Sequence, residues 1–319
     1  MRIVFFGSPE LALPTLLELL DSDHDIVAVV TQPDRPAGRG HATTSPPVKR
    51  LAQERGLPVL QPEKVSDLDS VDALRAFEPD AFVVVAYGQI LRQRLLDVPK
   101  HGTLNVHASL LPRWRGASPV AAAIIAGDEA TGVTIMQMVR ALDAGPMLAH
   151  VEVPISPDDT TGTLEPRLAE AGAKLLMETI DGWASGELTA TPQDESLVTY
   201  APQLTRGDAL IDWSLPAVDL WRRVRAFNPW PVAHTRWRGE ELRIHEAWPL
   251  PRDSGEPLGT VLPPTPLPPE ADDPQSTFAA ATGAGSLAIR RLQRPGKRAL
   301  SGAEFLRGQR GVIGERLGD

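Results

Sequence analysis

The first half of the chain alternates short apolar runs with longer mixed segments. "RIVFFG", "DIVAVVT", "PVLQ", "AFVVVAY", "GTLNVH", "GVTIMQM" and "MLAHVEVPI" recur through the first 155 residues. Several are apolar at almost every position. That pattern belongs to strands covered by helices on both faces, not to strands with one wet side. The segments between them carry helical punctuation. Ser8 is an N-cap candidate with Pro9 at the first helical position, and Leu13, Leu16, Leu17 and Leu20 form one stripe. Ser45 and Pro47 open a second helix, and Gly56 closes it. These features predict an α/β domain, doubly wound around a mostly parallel sheet. Its chemistry is expected at the carboxyl ends of the strands.

The pattern then changes. Residues 160–185 read as one amphipathic helix with Leu168, Leu175, Leu176 and Ile180 on its apolar side. "SGELTATPQDESLVTYAPQ" is polar and lacks periodicity, as a linker would. Beyond it "AHTRW", "LRIHEAW", "GTVL" and "SLAIRRLQ" alternate between turns, which predicts a small antiparallel β-barrel of OB-like type. Ser301 and Glu304 have capping-box spacing and start a last short helix. "LPPTPLPPEADDP" (262–274) is too proline-rich for a central strand and reads as a loop. The expected domains are 1–188, a linker at 189–205, and 206–319.

Composition narrows the choice of chemistry. The 319 residues suit two domains, and a net charge of −9 argues against an all-round basic surface. The charge is uneven. Residues 1–205 hold 16 Lys+Arg against 27 Asp+Glu, whereas residues 206–319 hold 16 against 14. A polyanion is therefore expected on the second half only. With no cysteine, disulfides and thiolate metal sites are excluded. "MRIVFFGSPE" enters a strand at once, without a signal-peptide layout, and no apolar run approaches ~20 residues. A cytoplasmic protein without membrane contact is expected, and a monomer.

Common ligand signatures fail. No Walker loop occurs, and "GAGSLA" at 283–288 leads into an alternating strand rather than a helix. His245-Glu246 lacks the second histidine of a zinc helix, so no metal is expected. The stretch "NVHASLLPRWRGASP" (105–119) is different. Asn105 and His107 lie two apart on a strand, so they leave the same face, just before a turn. The amide can donate to a developing oxyanion, and the imidazole can move a proton. A strand-end turn and a half-buried histidine are the bland alternative. Asp143, in "LDAGPML", is ordinary turn chemistry unless the neighbouring strands bring it to His107, where a carboxylate would orient the ring. Arg113 and Arg115 bracket Trp114 as solvated charges or as anion contacts. The long loop 31–47 is an insertion or a clamp. Residues 221–238 hold five arginines and no acid, and residues 286–310 hold seven Lys+Arg and one acid. Interleaved with aromatics, both fit a nucleic-acid footprint.

Those residues together resemble the folate-dependent formyltransferases. "FFGSPELA", "VVTQPDRPAGRG", "PPVKRLA", "VVVAYGQIL", "TGVTIMQM", "LDAGPML", "ESLVTYAPQL", "IDWS", "RAFNPWP" and "RPGKRALS" extend the likeness over nearly the whole chain. The resemblance implies a formyltransferase fold and transfer of a formyl group from 10-formyltetrahydrofolate to the α-amine of methionyl initiator tRNA. It implies a catalytic trio of Asn105, His107 and Asp143. It sets Ser109, Leu110, Leu111 and Pro112 on a folate-contacting turn, and Tyr87, Gly88, Gln89 and Ile90 on the pterin-side loop. For the tRNA it implies Arg39 and Arg35 in the clamp loop, with Arg291, Arg294, Lys297 and Arg298 on the barrel. The chain departs from the family at His41, Ala42 and Thr43, where relatives are more basic, and at Pro146. Within the family, glycinamide ribonucleotide or sugar-nucleotide formyl transfer is the alternative, although "GSPEL" replaces a phosphate-cradling loop. A non-catalytic RNA-binding protein on the same scaffold is the alternative outside it.

Overall fold

The apolar runs of the first half form one seven-stranded sheet in a computed structural model that describes residues 1–37, 42–264, 266–271 and 277–318. In spatial order the strands are Met147–Pro154, Ala130–Gln137, Gly102–His107, Ala81–Val85, Arg2–Gly7, Asp25–Val30 and Val59–Leu60. The last five are mutually parallel, while Ala130–Gln137 and Met147–Pro154 run antiparallel at one edge. Strand order reverses between Arg2–Gly7 and Ala81–Val85, the usual place for a binding crevice. Alternate residues line each face. Val4 and Phe6, Ala28 and Val30, Phe82 and Val84 bury one side together with Leu74, Leu91 and Leu95.

Helix ends obey local chemistry in some places and not in others. Pro47 opens the helix Pro47–Glu54, and Gly56 follows it at φ 70°. Ser8 caps nothing. The first helix is Leu13–Leu20, preceded by a 3-10 turn at Glu10–Ala12, and Ser8 Oγ instead accepts from the Gln32 backbone N–H at 3.0 Å. That hydroxyl ties together loops at the sheet's carboxyl edge. The long helix Thr161–Ala184 buries Leu168, Leu176 and Ile180, with Leu175 only half-buried. A Cβ at Gly172 would meet Val106 Cγ1 at 2.7 Å, so the helix lies against the face that Val106 presents. Asn105 and His107 face the opposite way.

Contacts divide the chain into two compact units. One comprises Met1–Pro119, Ala130–Pro154 and Leu164–Pro202; the other comprises Val120–Glu129, Ile155–Thr163 and Gln203–Asp319. The stretch expected as a linker is mostly bonded into the first unit. Thr191 bridges Met147, and Tyr200–Ala201 pairs in parallel with Arg115–Gly116. The second unit also takes a segment from far upstream: Arg225 Nε donates to the Asp159 carbonyl at 2.8 Å, and its Nη2 donates to that of Ser156 at 2.9 Å.

The second unit holds the antiparallel sheet His234–Trp237, Glu240–Leu250, Ser286–Gln293 and Ala279–Ala281, with Leu300–Ser301 pairing on Ser286–Gln293. Isolated bridges join its free edges. Val261 pairs with Ala280, Thr260 with Arg316, and the Gly318 N–H donates to the Arg236 carbonyl at 2.8 Å. The ring is therefore completed by single bridges rather than by full strands, and closure leaves few open edges. Ala279–Ala281 escapes a reading by pattern because alanine signals no strand. The proline-rich stretch is a partial correction too: Leu267 and Ala271 pack against Ala279, Ala288 and Trp248. The capping box at Ser301 and Glu304 is present and opens Gly302–Gly308.

Candidate active site

The turn after Gly102–His107 is held by one hydroxyl. Thr134, directly across from His107 on the neighbouring strand, donates to the Ser109 carbonyl at 2.7 Å and accepts from the Leu111 N–H at 3.1 Å. Ser109 is fully buried and donates to the Arg113 carbonyl at 2.7 Å. Leu110 covers Gly132, where a Cβ would meet its Cδ2 at 2.5 Å. The Leu111-Pro112 peptide is cis. Ser109, Leu110, Leu111 and Pro112 thus form one rigid turn beside the strand end.

His107 points into this turn. Its Nε2 lies 3.0 Å from the Trp114 carbonyl. A carbonyl only accepts, so Nε2 carries the proton there and Nδ1 is the working nitrogen. Nδ1 faces Asp143 Oδ2 at 3.9 Å. This is an ion-pair distance, not a hydrogen bond. The same Oδ2 accepts from the Gly116 N–H at 2.8 Å. The ring is therefore oriented by the Trp114 carbonyl, and the carboxylate by Gly116. Asn105 is 8% exposed, and its side chain makes no hydrogen bond among the described residues. An amide left over at the mouth of a packed site is available to a ligand.

The route of Asp143 to His107 is indirect. Gly102–His107 and Ala130–Gln137 are adjacent, as the trio requires, but antiparallel, with Leu104 opposite Gln137. The loop 138–146 starts at the far end of the histidine strand and folds back along it. Two non-glycine residues in left-handed backbone serve this arrangement, Trp114 at φ 61° and Asp143 at φ 45°. Each costs on the order of 1–3 kcal/mol, and such strain gathers where a carbonyl or carboxylate must be aimed. Gly145 has no room for a side chain, because a Cβ would sit 1.7 Å from the Gln137 carbonyl.

The pterin-side loop needs a correction. Tyr87 is 2% exposed, edge-on to Phe6 at 5.4 Å, with its hydroxyl buried and without a partner among the described residues. Burial pushes its phenol far above the ordinary range. Its side chain belongs to the core, and only its backbone can face a ligand. Gln89 braces the segment 62–65, accepting from the Val65 N–H at 2.9 Å and donating to the Pro62 carbonyl at 3.0 Å. Gly88 turns at φ 86°, and Ile90 is 80% exposed, the most open apolar side chain nearby.

The cationic residues divide. Arg35 is exposed on the short strand Arg35–Ala37. Next to it, Asp34 is held below the usual carboxylate range, first by Lys49 at 2.7 Å and then by Gln61. Arg39 lies outside the described residues. On the barrel, Arg294 meets Glu240 at 2.8 Å, Arg298 meets Glu304 at 3.0 Å, and Arg291 meets Glu246 at 3.7 Å. Lys297 is exposed. Counting charges along the sequence overstates this face, because Glu240 and Glu246 on the strand Glu240–Leu250 and Glu304 on the following helix compensate three of the arginines.

Arg115, expected as a solvated charge or an anion contact, is instead buried and reaches Gln193, a residue the sequence left unmarked. Arg115 is 3% exposed and donates from Nε to Gln193 Oε1 at 3.0 Å and from Nη2 to Glu195 at 2.8 Å. Gln193 Nε2 donates to the carbonyls of Asp143 and Gly145 at 2.7 and 2.8 Å. Nothing in the string "ATPQDESLV" signals this.

Among the described residues no cluster of three or more His, Asp or Glu could hold a metal. No helix among them is long and apolar enough to cross a membrane.

A family model described as "Formyl transferase" matches residues 1–180, and one described as "Formyl transferase, C-terminal domain" matches residues 203–310. A methionyl-tRNA formyltransferase of Methylococcus capsulatus is 49% identical over 100% of both chains. One from Geobacter sulfurreducens is 45% identical over 100% of this chain and 97% of its own. Among solved structures, HypX from Aquifex aeolicus in complex with tetrahydrofolic acid aligns at TM-score 0.64 and 21% identity, over 99% of this chain and 48% of that one. WlaRD, a sugar 3N-formyl transferase, aligns at 0.64 and 16% over 93% and 99%. At such identities the two structures speak for the fold alone. The sequence relatives go further, and with both family models matched the chain belongs to the formyl transferase family, among the methionyl-tRNA formyltransferases.

Proposed function

We propose that the protein transfers the formyl group of 10-formyltetrahydrofolate to the α-amine of methionyl initiator tRNA, giving the N-formylmethionyl-tRNA used in translation initiation. The reading rests on His107, whose Nε2 lies on the Trp114 carbonyl and whose Nδ1 lies 3.9 Å from the Asp143 carboxylate, two residues along one strand from Asn105, in a chain with full-length relatives named methionyl-tRNA formyltransferase.

The α-amine of an aminoacyl ester is less basic than a lysine, so the neutral nucleophile is available near pH 7. It attacks the formyl carbon, a carbon–nitrogen bond forms, and the carbonyl oxygen becomes an oxyanion. The Asn105 amide donates to that oxygen, a contribution of about 3 kcal/mol for one well-placed donor. His107 Nδ1 takes the proton released by the amine. The imidazolium then has Nε2–H on the Trp114 carbonyl and faces Asp143 Oδ2, 3.9 Å from Nδ1. As the intermediate collapses, the bond from carbon to N10 breaks and the same proton passes to N10. Atoms and charge balance without a metal or a covalent enzyme intermediate.

The turn Ser109–Pro112 and the backbone of 87–90 are the positions for the folate. The resemblance assigns both, and the rigid Thr134 clamp supports the first. HypX, a neighbour of the same fold, was solved with tetrahydrofolic acid. Arg35, Arg39 and the barrel cations are the positions for the tRNA phosphates. The test is incubation of the protein with methionyl-tRNA and 10-formyltetrahydrofolate. Formylmethionine on the tRNA is expected; formylation of an amino sugar nucleotide with none on the tRNA would overturn the reading.

A further inference from the structure

We infer that Gln193 is a positioning residue for the reaction: it fixes the Asp143 loop against Arg115, and through that loop it sets the carboxylate beside His107. The inference rests on the proposed role of the Asn105, His107 and Asp143 cluster.

The bonding of Gln193 is complete and leaves its orientation in no doubt. Its amide nitrogen has two hydrogens and finds two carbonyls, those of Asp143 and Gly145. Its oxygen finds a donor, Arg115 Nε. A flipped amide would set oxygen against two carbonyls and nitrogen against a guanidinium. The residue is 9% exposed, so water cannot substitute for these partners at no cost.

The need for a brace follows from the loop it holds. Residues 138–146 fold back from the wrong end of their strand, and Asp143 sits in left-handed backbone at φ 45°. A strained residue keeps its conformation only when surrounding contacts over-determine it. Gly116 supplies one such contact, through its N–H on the Asp143 side chain. Gln193 supplies the backbone contacts, on the residue itself and two further along. Arg115 and Gly116 are neighbours on the short strand that pairs with Tyr200–Ala201, so both holds on the loop come from one place. The geometry couples residues from three parts of the chain, 115–116, 143–145 and 193–195, around one carboxylate.

Two substitutions test this. Gln193→Met keeps the volume and removes all three bonds. Gln193→Glu keeps the bond to Arg115 and turns an oxygen toward the two carbonyls. Both are expected to lower kcat by about 10²-fold, as loss of near-attack geometry does, with KM for each substrate changed less than about threefold. The decisive readout is coupling. On an Asp143→Asn background, Gln193→Met should reduce kcat by less than about threefold, because the residue acts through Asp143. A full further loss on that background would overturn the inference, since a general structural role is additive. So would near-wild-type kcat for Gln193→Glu, the variant that retains the Arg115 contact and therefore tests the loop bonds even where Gln193→Met fails to fold. If Asp143→Asn alone left kcat unchanged, the site assignment would fall and the brace with it.

Discussion

Arg115 and Arg294 each place Nη2 2.8 Å from a glutamate oxygen, yet they do different work. The Arg115 side chain is 3% exposed, shares its Nε with Gln193, and stands one residue from the glycine that holds Asp143. The Arg294 side chain is 33% exposed, lies 5.7 Å from the Trp237 ring centroid, and touches nothing that is aimed at a reacting atom. Equal distances therefore say little. Arg115 is spent on fixing backbone through Gln193, whereas Arg294 belongs to a surface whose charges trade partners with solvent. The proposed function assigns turnover to the first arrangement and affinity to the second.

The sharpest way to break that division is at the imidazole. His107→Ala should lower kcat by roughly 10³-fold, within the range for loss of a general base, while tRNA affinity changes less than twofold. A parallel loss of tRNA affinity, measured by filter binding, would merge the two roles. Next comes Arg115→Met. The exposed Glu195 is released to water, but Gln193 Oε1 loses its donor, so destabilisation of about 1–3 kcal/mol is expected in thermal unfolding, with kcat reduced as well. The matching change on the barrel, Arg291, Arg294 and Lys297 together to Gln, should leave kcat at saturating tRNA intact. It should weaken binding by about tenfold at low salt and flatten the salt dependence by one to two phosphate contacts, at roughly 0.9 each. An unchanged salt slope would move the nucleic-acid face elsewhere.

The smallest effect concerns acid. The hydrogen bond from Arg115 holds the Glu195 carboxyl below its ordinary range. A depressed folded pKa adds stability that is present above the unfolded value of about 4.3 and is lost as pH falls through the folded one. Glu195→Gln should therefore melt about 1 °C below wild type at pH 7, and the gap should narrow as pH falls below about 4.3. A gap constant across that range would deny the pair any role in linkage.

The division also explains what could be read in advance. Periodicity found the sheet, since Val4, Phe6, Phe82 and Val84 bury one face as their alternation requires. It found the long helix and the capping box at Ser301, because these follow from a single segment. The turn at 105–119 was legible because a polar pair at a strand end is chemically odd. The ring of Tyr87 lies in the core and leaves only its backbone for a ligand, since a motif does not say which way a ring points. Ser8 was misjudged as a cap, because its hydroxyl was claimed by Gln32 from another strand end. Gln193 was invisible and the partner of Glu195 was too: their bonds to Arg115 span 78 and 80 residues, and nothing local points to them. Separation along the chain also hid Glu240, which pairs with Arg294 from 54 residues away.

The Arg115–Gln193–Asp143 link has a consequence in time as well as in space. Its partners are separated by 78 and 50 residues, so it cannot form from any local fragment of the chain. Helices can appear early, whereas contacts that close long loops, the pairing of Ile3 with Ala81 in the parallel sheet included, come after the intervening chain has been ordered. During refolding, circular dichroism should therefore recover before enzymatic turnover. The interval between them would measure the closing of these long-range contacts, the docking of residues 191–201 among them.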